Sequence, residues 1–202
     1  MSVIRGIFFD LGNVLVMYDP KIALRKLANE FQVSEEEIWQ YVFLSDIERS
    51  YTKGKMTSRE FFLQVAKRFP SRLDFHQFGE IWNSIFWENK GMGGLVKSLV
   101  PSYDMSLISN TNELHFEYVR KKFPVLSHFR RLFPSHEVGH RKPEPGIFLH
   151  ALNETQLKPE EVVFIDDVLE FVEGAGNLGM RGIHFKGQAE LEKELRRLDI
   201  KF

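Results

Sequence analysis

Asp10 closes an apolar stretch in Phe8-Phe9-Asp10-Leu11-Gly12-Asn13-Val14. A carboxylate there is costly to desolvate unless something pairs with it or uses it. Further polar clusters carry residue types that chemistry can use: Ser109-Asn110-Thr111, Lys142 within Arg141-Lys142-Pro143-Glu144-Pro145, and Asp166-Asp167. Carboxylates converging on one spot do not all stay ionised without a cation. Mg2+, a hard ion held by oxygen ligands, is the natural compensation. The Ser109 hydroxyl, the Asn110 amide and a nearby lysine are donors suited to a phosphoryl group. A carboxylate nucleophile, Mg2+ and a phosphate clamp together describe phosphoryl transfer through an aspartyl-phosphate.

Those residues are far apart in the chain, so the fold must bring them to one edge. Val3 to Phe9, Met105 to Ser109 and Val162 to Ile165 are short runs rich in β-branched and aromatic residues, with Gly182 to Phe185 as a fourth candidate. Each of the first three leads through a polar turn into helix-forming sequence, the pattern of βα units and a parallel sheet. In such sheets ligands bind beyond the strand C-termini. Asp10, Ser109-Asn110-Thr111 and Asp166-Asp167 all fall there. The expected fold is α/β, a Rossmann-like parallel sheet core with an inserted helical layer.

Residues 17–92 form that insert, leaving 1–16 and 93–202 as the core. No strand stands out in the insert, but Ser34-Glu35-Glu36-Glu37 and Thr57-Ser58-Arg59-Glu60 fit capping boxes ahead of amphipathic stretches. Pro20 precedes a helical run through Leu27, and Asp74 caps another through Trp87, giving four or so helices. Gly91-Met92-Gly93-Gly94 reads as a flexible join back to the βα pattern. Trp39, Tyr41, Phe43, Trp82, Phe86 and Trp87 are expected mostly in the core of this helical bundle, with a minority lining a substrate pocket.

Composition bounds the function. The 202 residues are 43% hydrophobic with 19 Phe and 3 Trp, which is enough to bury a core and argues against disorder. A net charge of −1 gives no general field for nucleic acid. The short basic clusters Arg120-Lys121-Lys122, Arg130-Arg131 and Arg196-Arg197 read as solvated helix faces. The absence of cysteine excludes disulfides and thiolate metal sites and fits a cytoplasmic setting. No stretch has the length of a membrane span, and Asp10 interrupts the only N-terminal apolar run, so no signal peptide is expected.

One tempting motif is rejected. His136-Glu137-Val138-Gly139-His140 fits the zinc-protease pattern H-E-x-x-H, which needs both histidines on one helix face. Pro134 upstream, Pro143 downstream and Gly139 inside leave little room for that helix, so a loop leading into Lys142 is expected.

Phe8-Phe9-Asp10-Leu11-Gly12-Asn13-Val14, Leu107-Ile108-Ser109-Asn110-Thr111-Asn112, Arg141-Lys142-Pro143-Glu144-Pro145-Gly146-Ile147-Phe148 and Phe164-Ile165-Asp166-Asp167 stand in that order. Together they resemble the motifs of the haloacid dehalogenase superfamily, and the helical insert resembles its C1-type cap. The Asp-Leu-Gly-Asn form resembles a subset of bacterial sugar-phosphate phosphatases and, more loosely, the phosphatase domain of epoxide hydrolases. The resemblance implies that Asp10 is the nucleophile and a Mg2+ ligand. It further implies that Ser109 and Asn110 bind phosphoryl oxygens, that Lys142 steadies nucleophile and phosphate, and that Asp166 and Asp167 serve the metal. Gly12 would offer the metal its backbone carbonyl.

Two departures from the family pattern are visible. Gly12 stands where the family's second acid, the general acid/base, is usual, and Phe171 stands where many relatives carry Asn before Gly174-Ala175. Losing a general acid/base costs about 10²–10⁴-fold, and least where the leaving group needs no proton. The expectation is either an ester with a good leaving group, such as an anomeric sugar phosphate or an acyl phosphate, or a cap residue or water chain that supplies the proton. The function expected is therefore a Mg2+-dependent phosphatase acting on a small phosphorylated metabolite, with sugar phosphates as one candidate class. The alternatives are a metal-independent dehalogenase of the same superfamily and a non-catalytic protein that binds a phosphorylated ligand or a protein partner. Asp166-Asp167 argues against the first, and the retained Asp10, Lys142 and Asp166 argue against the second.

Overall fold

The computed structural model describes residues 3–202. β1 (Gly6–Phe9) passes through a tight loop into β2 (Val16–Tyr18). Helices α1 (Pro20–Phe31), α2 (Glu35–Val42), α3 (Asp46–Thr52), α4 (Ser58–Arg68) and α5 (Phe75–Asn83) follow. β3 (Phe86–Glu88) returns antiparallel to β2, with Tyr18 opposite Phe86. Next come α6 (Met92–Leu99), β4 (Asp104–Ser109), α7 (Glu113–Lys122), β5 (Arg131–Pro134), the one-turn α8 (Ser135–Val138) and α9 (Pro145–Thr155). β6 (Val162–Asp166), α10 (Leu169–Gly176), β7 (Arg181–His184) and α11 (Gln188–Arg197) follow in turn.

The sheet has the order β5-β4-β1-β6-β7 and every pairing in it is parallel, the α/β Rossmann-like class that the sequence predicts. Both faces are covered, which is why its strands read as near-continuous apolar runs. Alternation along β1 shows the division. Ile7 and Phe9 join Leu107 and Ile165 against α6, α7 and α11, whereas Phe8 joins Ile108 and Phe164 against α9 and α10. The register sets Phe9 beside Leu107 on one side and Ile165 on the other. Asp10, Ser109 and Asp166 therefore leave or end their strands at one edge.

The helices α1 to α5 pack round a separate cluster. Leu24, Leu27, Ala28 and Phe31 repeat along one face of α1 and meet Ile38, Phe61 and Phe78. Their starts are chemically specified. Ser34 with Glu37, Thr57 with Glu60 and Asp74 with Gln77 form reciprocal capping boxes, and Asp19 caps α1 ahead of Pro20.

Several boundaries differ from the sequence reading. Val3 to Arg5 lie outside β1, so the first strand is shorter than its apolar pattern. The α1 helix continues past Leu27 to Phe31, because its apolar periodicity does. The α5 helix stops at Asn83, and the chain then pairs as β3, placing Trp87 on the surface at 45% exposed rather than in the bundle. Gly91 is no flexible join: its φ of 97° starts α6 directly, a conformation that suits glycine. Arg131 to Pro134 form an edge strand, and the antiparallel β2–β3 pair is a second unforeseen sheet.

Candidate active site

Parallel pairing continues one residue past β1. The Asp10 amide donates to the Ile165 carbonyl at 2.8 Å, which seats Asp10 beside Asp166 at the strand ends. The chain then turns back through Leu11 to Val16. Leu15 and Val16 amides both reach the Leu11 carbonyl at 2.9 Å, and the Asn13 amide reaches the Val16 carbonyl at 2.7 Å. Asn13 sits at φ 55°, a left-handed position that asparagine tolerates. Its side-chain amide donates to Asp167 Oδ2 at 3.2 Å, tying the first loop to the paired acids.

Lys142 arrives from the loop before α9 and is buried between the acids. Its ammonium has three donors, and each has a partner: Asp10 Oδ1 at 2.6 Å, Asp166 Oδ2 at 2.6 Å and the Ile108 carbonyl at 2.9 Å. Burial acts to lower its pKa, but the Asp10 and Asp166 carboxylates and their hydrogen bonds hold it above its ordinary value. Burial pushes the Asp10 carboxyl up to about 7, against the pull of Lys142 and with the push of Asp166. Burial likewise raises Asp167, opposed by its hydrogen bond from Asn13.

Asp10, Asp166 and Asp167 each offer a carboxylate oxygen, and these oxygens lie within 4.8 Å of one another. One ammonium does not neutralise three acids, and hard oxygens at this spacing are the donor set of a divalent cation such as Mg2+. The residues present fit the metal that the sequence implies. The Gly12 carbonyl belongs to the same loop.

The phosphate side differs in detail from the sequence reading. Asn110 uses both ends of its side chain on Lys142: its Nδ2 donates to the Lys142 carbonyl at 2.9 Å, and its Oδ1 accepts from the Lys142 amide at 2.7 Å. It sets the backbone that aims Lys142. Ser109 is buried at the cavity floor beside it. The cap of α7 is Asn112, which accepts from the His115 amide at 3.0 Å.

Sequence reasoning did not single out Tyr18. A Cβ built on Gly12 would lie 2.7 Å from Tyr18 Cε1, so a side chain at position 12 would have to displace the ring. Burial pushes the Tyr18 phenol up to about 12, and Asp10, Asp167, Asp166 and Glu48 add to the shift. Phe171 lies beneath Lys142, with its ring centroid 5.3 Å from Nζ, a cation–π contact in place of a polar turn contact. Nothing in the sequence pattern marks the Tyr18 ring as part of the site.

His136-Glu137-Val138-Gly139-His140 makes one helical turn that Gly139 ends at φ 80°. The two histidines therefore flank a helix end instead of sharing a face. Arg141 joins this loop to α3, donating to Glu48 at 2.9 Å and to the Thr52 hydroxyl at 2.7 Å.

These features can be set beside known proteins. A family model described as haloacid dehalogenase-like hydrolase matches residues 4–179. Drimenol cyclase of Aspergillus calidoustus is 29% identical over 96% of this chain, which spans only 36% of that protein's length. D-ribitol-5-phosphate phosphatase of Bacteroides thetaiotaomicron is 24% identical, covering 96% of this chain and 97% of that one. A crystal structure of a haloacid dehalogenase family enzyme from Bacteroides thetaiotaomicron, in complex with magnesium and inorganic phosphate, superposes with a TM-score of 0.84. It is 28% identical and covers 93% of this chain and 98% of its own.

Proposed function

The chain belongs to the haloacid dehalogenase-like hydrolases, and on that footing we propose that it is a Mg2+-dependent phosphatase releasing inorganic phosphate from a small phosphomonoester. The observation that carries this reading is the buried cluster of Asp10, Asp166 and Asp167 round Lys142. A protein that only binds phosphate gains nothing from a carboxylate in that position, and a dehalogenase does not need the added acid pair.

Asp10, Asp166 and Asp167, with the Gly12 carbonyl, would hold Mg2+. Bound there, Mg2+ supplies positive charge that offsets the acids and the charge developing on the phosphoryl oxygens. A carboxylate oxygen of Asp10 attacks phosphorus as the bond from phosphorus to the ester oxygen breaks. The leaving oxygen departs as an anion and takes its proton from water, since Gly12 offers none. Water then attacks phosphorus of the aspartyl-phosphate, freeing Asp10 and inorganic phosphate. Lys142 holds Asp10 and Asp166 in register throughout, and the Ser109 hydroxyl donates to a phosphoryl oxygen.

Residues 17–92 would act as a cap, and 1–16 with 93–202 as the catalytic core. Arg141 with Glu48, and Lys53 with Glu144 at 2.6 Å, link the two. D-ribitol-5-phosphate phosphatase among the relatives keeps a sugar phosphate as one candidate substrate class. No helix among the described residues is long and apolar enough to cross a membrane. The setting proposed is the cytoplasm, without nucleic acid or membrane as partners. Phosphate release from acetyl phosphate and a panel of esters, with Mg2+ and with EDTA, tests the reading. Release that needs Mg2+ supports it, while halide release persisting in EDTA, or ligand binding without turnover, sinks it.

A further inference from the structure

Within the small phosphomonoesters, we propose that the substrate's alcohol is aromatic and that the chain hydrolyses an aryl phosphate. The proposal rests on the phosphatase reading and deepens it. It starts from the cavity above Asp10, whose volume of about 460 Å³ is that of a small-molecule site and exceeds the needs of a phosphoryl group.

Its floor is charged, but its walls are rings. Tyr18 and Phe86, tilted with centroids 6.2 Å apart, stand on the paired strands β2 and β3. Trp39, Phe43 and Trp82 line the cavity from α2, its C-terminal end and α5. They stack in series, with centroids 4.7 Å and then 6.0 Å apart and interplanar angles of 24° and 20°.

Several of the polar side chains that reach the same cavity are already paired. Glu48 takes the Arg141 guanidinium, and the Thr52 hydroxyl donates to the Glu48 carbonyl at 2.9 Å while accepting from Arg141. The His115 imidazole pairs with Asn83 Oδ1 at 2.9 Å and lies flat against Trp82, with ring centroids 5.2 Å apart. A polyol would face these rings with its hydroxyl groups unmatched, whereas a flat apolar ring would match them.

Gly12 and Tyr18 supply an independent condition. Gly12 carries no acid, and an acid placed there would have to displace the Tyr18 ring, so the site favours a leaving oxygen that is stable as an anion. A phenol ionises at about 10, far more readily than an aliphatic alcohol. A straight alkyl alcohol meets the apolar condition and fails this one; a polyol fails the apolar one. An aryl ester meets both.

The test compares acetyl, naphthyl, octyl and sorbitol phosphates with Mg2+, and adds naphthylmethylphosphonate, which cannot be hydrolysed, as a binding probe. The expected result is a kcat/KM for naphthyl phosphate about 100-fold above those for octyl and sorbitol phosphate. The phosphonate should inhibit acetyl phosphate hydrolysis about tenfold more tightly than methylphosphonate does. Trp39→Ala, at a site exposed enough to spare the fold, should lower kcat/KM for naphthyl phosphate about tenfold more than for acetyl phosphate. Sorbitol or octyl phosphate matching naphthyl phosphate, or equal inhibition by the two phosphonates, overturns the proposal while acetyl phosphate turnover keeps the phosphatase reading. No turnover of any of the four phosphates with Mg2+ takes down both.

Discussion

At the floor of the cavity, Lys142 donates to Asp10, to Asp166 and to the Ile108 carbonyl, and Asn110 holds the Lys142 backbone from both sides. Across the cavity, Trp39, Phe43 and Trp82 meet ring to ring. The floor is a network of buried charges in which each member depends on the next, fixed by the parallel register of β1, β4 and β6. The roof is a set of apolar surfaces in which each ring contributes area. Removing a floor residue strands a buried charge, while removing a roof residue only enlarges a cavity. Chemistry and selectivity should therefore fail by different amounts and in different measurements.

The largest effect belongs to the floor. Lys142→Met leaves Asp10 and Asp166 buried without their cation, and breaking a buried pair costs roughly 3–5 kcal/mol. Denaturant unfolding should show that loss, together with a collapse of phosphate release. An unfolding midpoint close to that of the wild type would mean that Lys142 is not the partner that holds the acids together.

Gly12→Asp sharpens the boundary between floor and roof. The introduced side chain meets the Tyr18 ring, and overpacking of this kind costs about 1–3 kcal/mol. Gly12→Asp with Tyr18→Ala should recover much of that loss and speed the hydrolysis of esters with poor leaving groups. If Gly12→Asp alone is as stable as wild type, the ring does not guard that space.

A pH-dependent effect lies in the roof. Burial pulls the His115 imidazole down from 6.5 to about 3. Between those values the unfolded chain binds a proton that the folded chain refuses, so stability falls as pH drops from 6.5 towards 3. Above 6.5 both states are neutral there and the contribution is flat. His115→Phe should make the loss of stability with acid shallower, as read from urea midpoints across that window. An unchanged pH slope would show that His115 charges freely in the folded state.

The same contrast explains what the sequence made legible. Asp10 and Asp166-Asp167 stand out because acids closing β-branched strands have few structural uses, and the parallel sheet then forces them together. Capping boxes at Ser34 and Thr57 were equally plain, since their spacing is set by hydrogen bonds within one turn. The roof was opaque. Trp39 and Trp87 belong to the same aromatic run as Trp82, yet Trp82 is buried while the others are 36% and 45% exposed. Apolar type alone does not say which face a ring will cover.

Short elements escaped for a related reason. β2 and β3 are three residues each, too brief for a period to show, and β5 carries Arg131 and Pro134 in its four residues. Tyr18, at the end of β2, carries no such sequence signal. Asn110 also has a positional role, since its side chain holds the Lys142 backbone, a partner 32 positions away that no local pattern reveals.

The most direct test asks where the phosphoryl group goes. Acid-quenched protein, sampled during turnover of acetyl phosphate with Mg2+ and digested, can be read by mass spectrometry. A phosphoryl adduct on the peptide carrying Asp10, absent in Asp10→Asn together with turnover, is the result predicted. Turnover with Asp10 unmodified, with the adduct on another residue, or persisting in Asp10→Asn, would contradict the account.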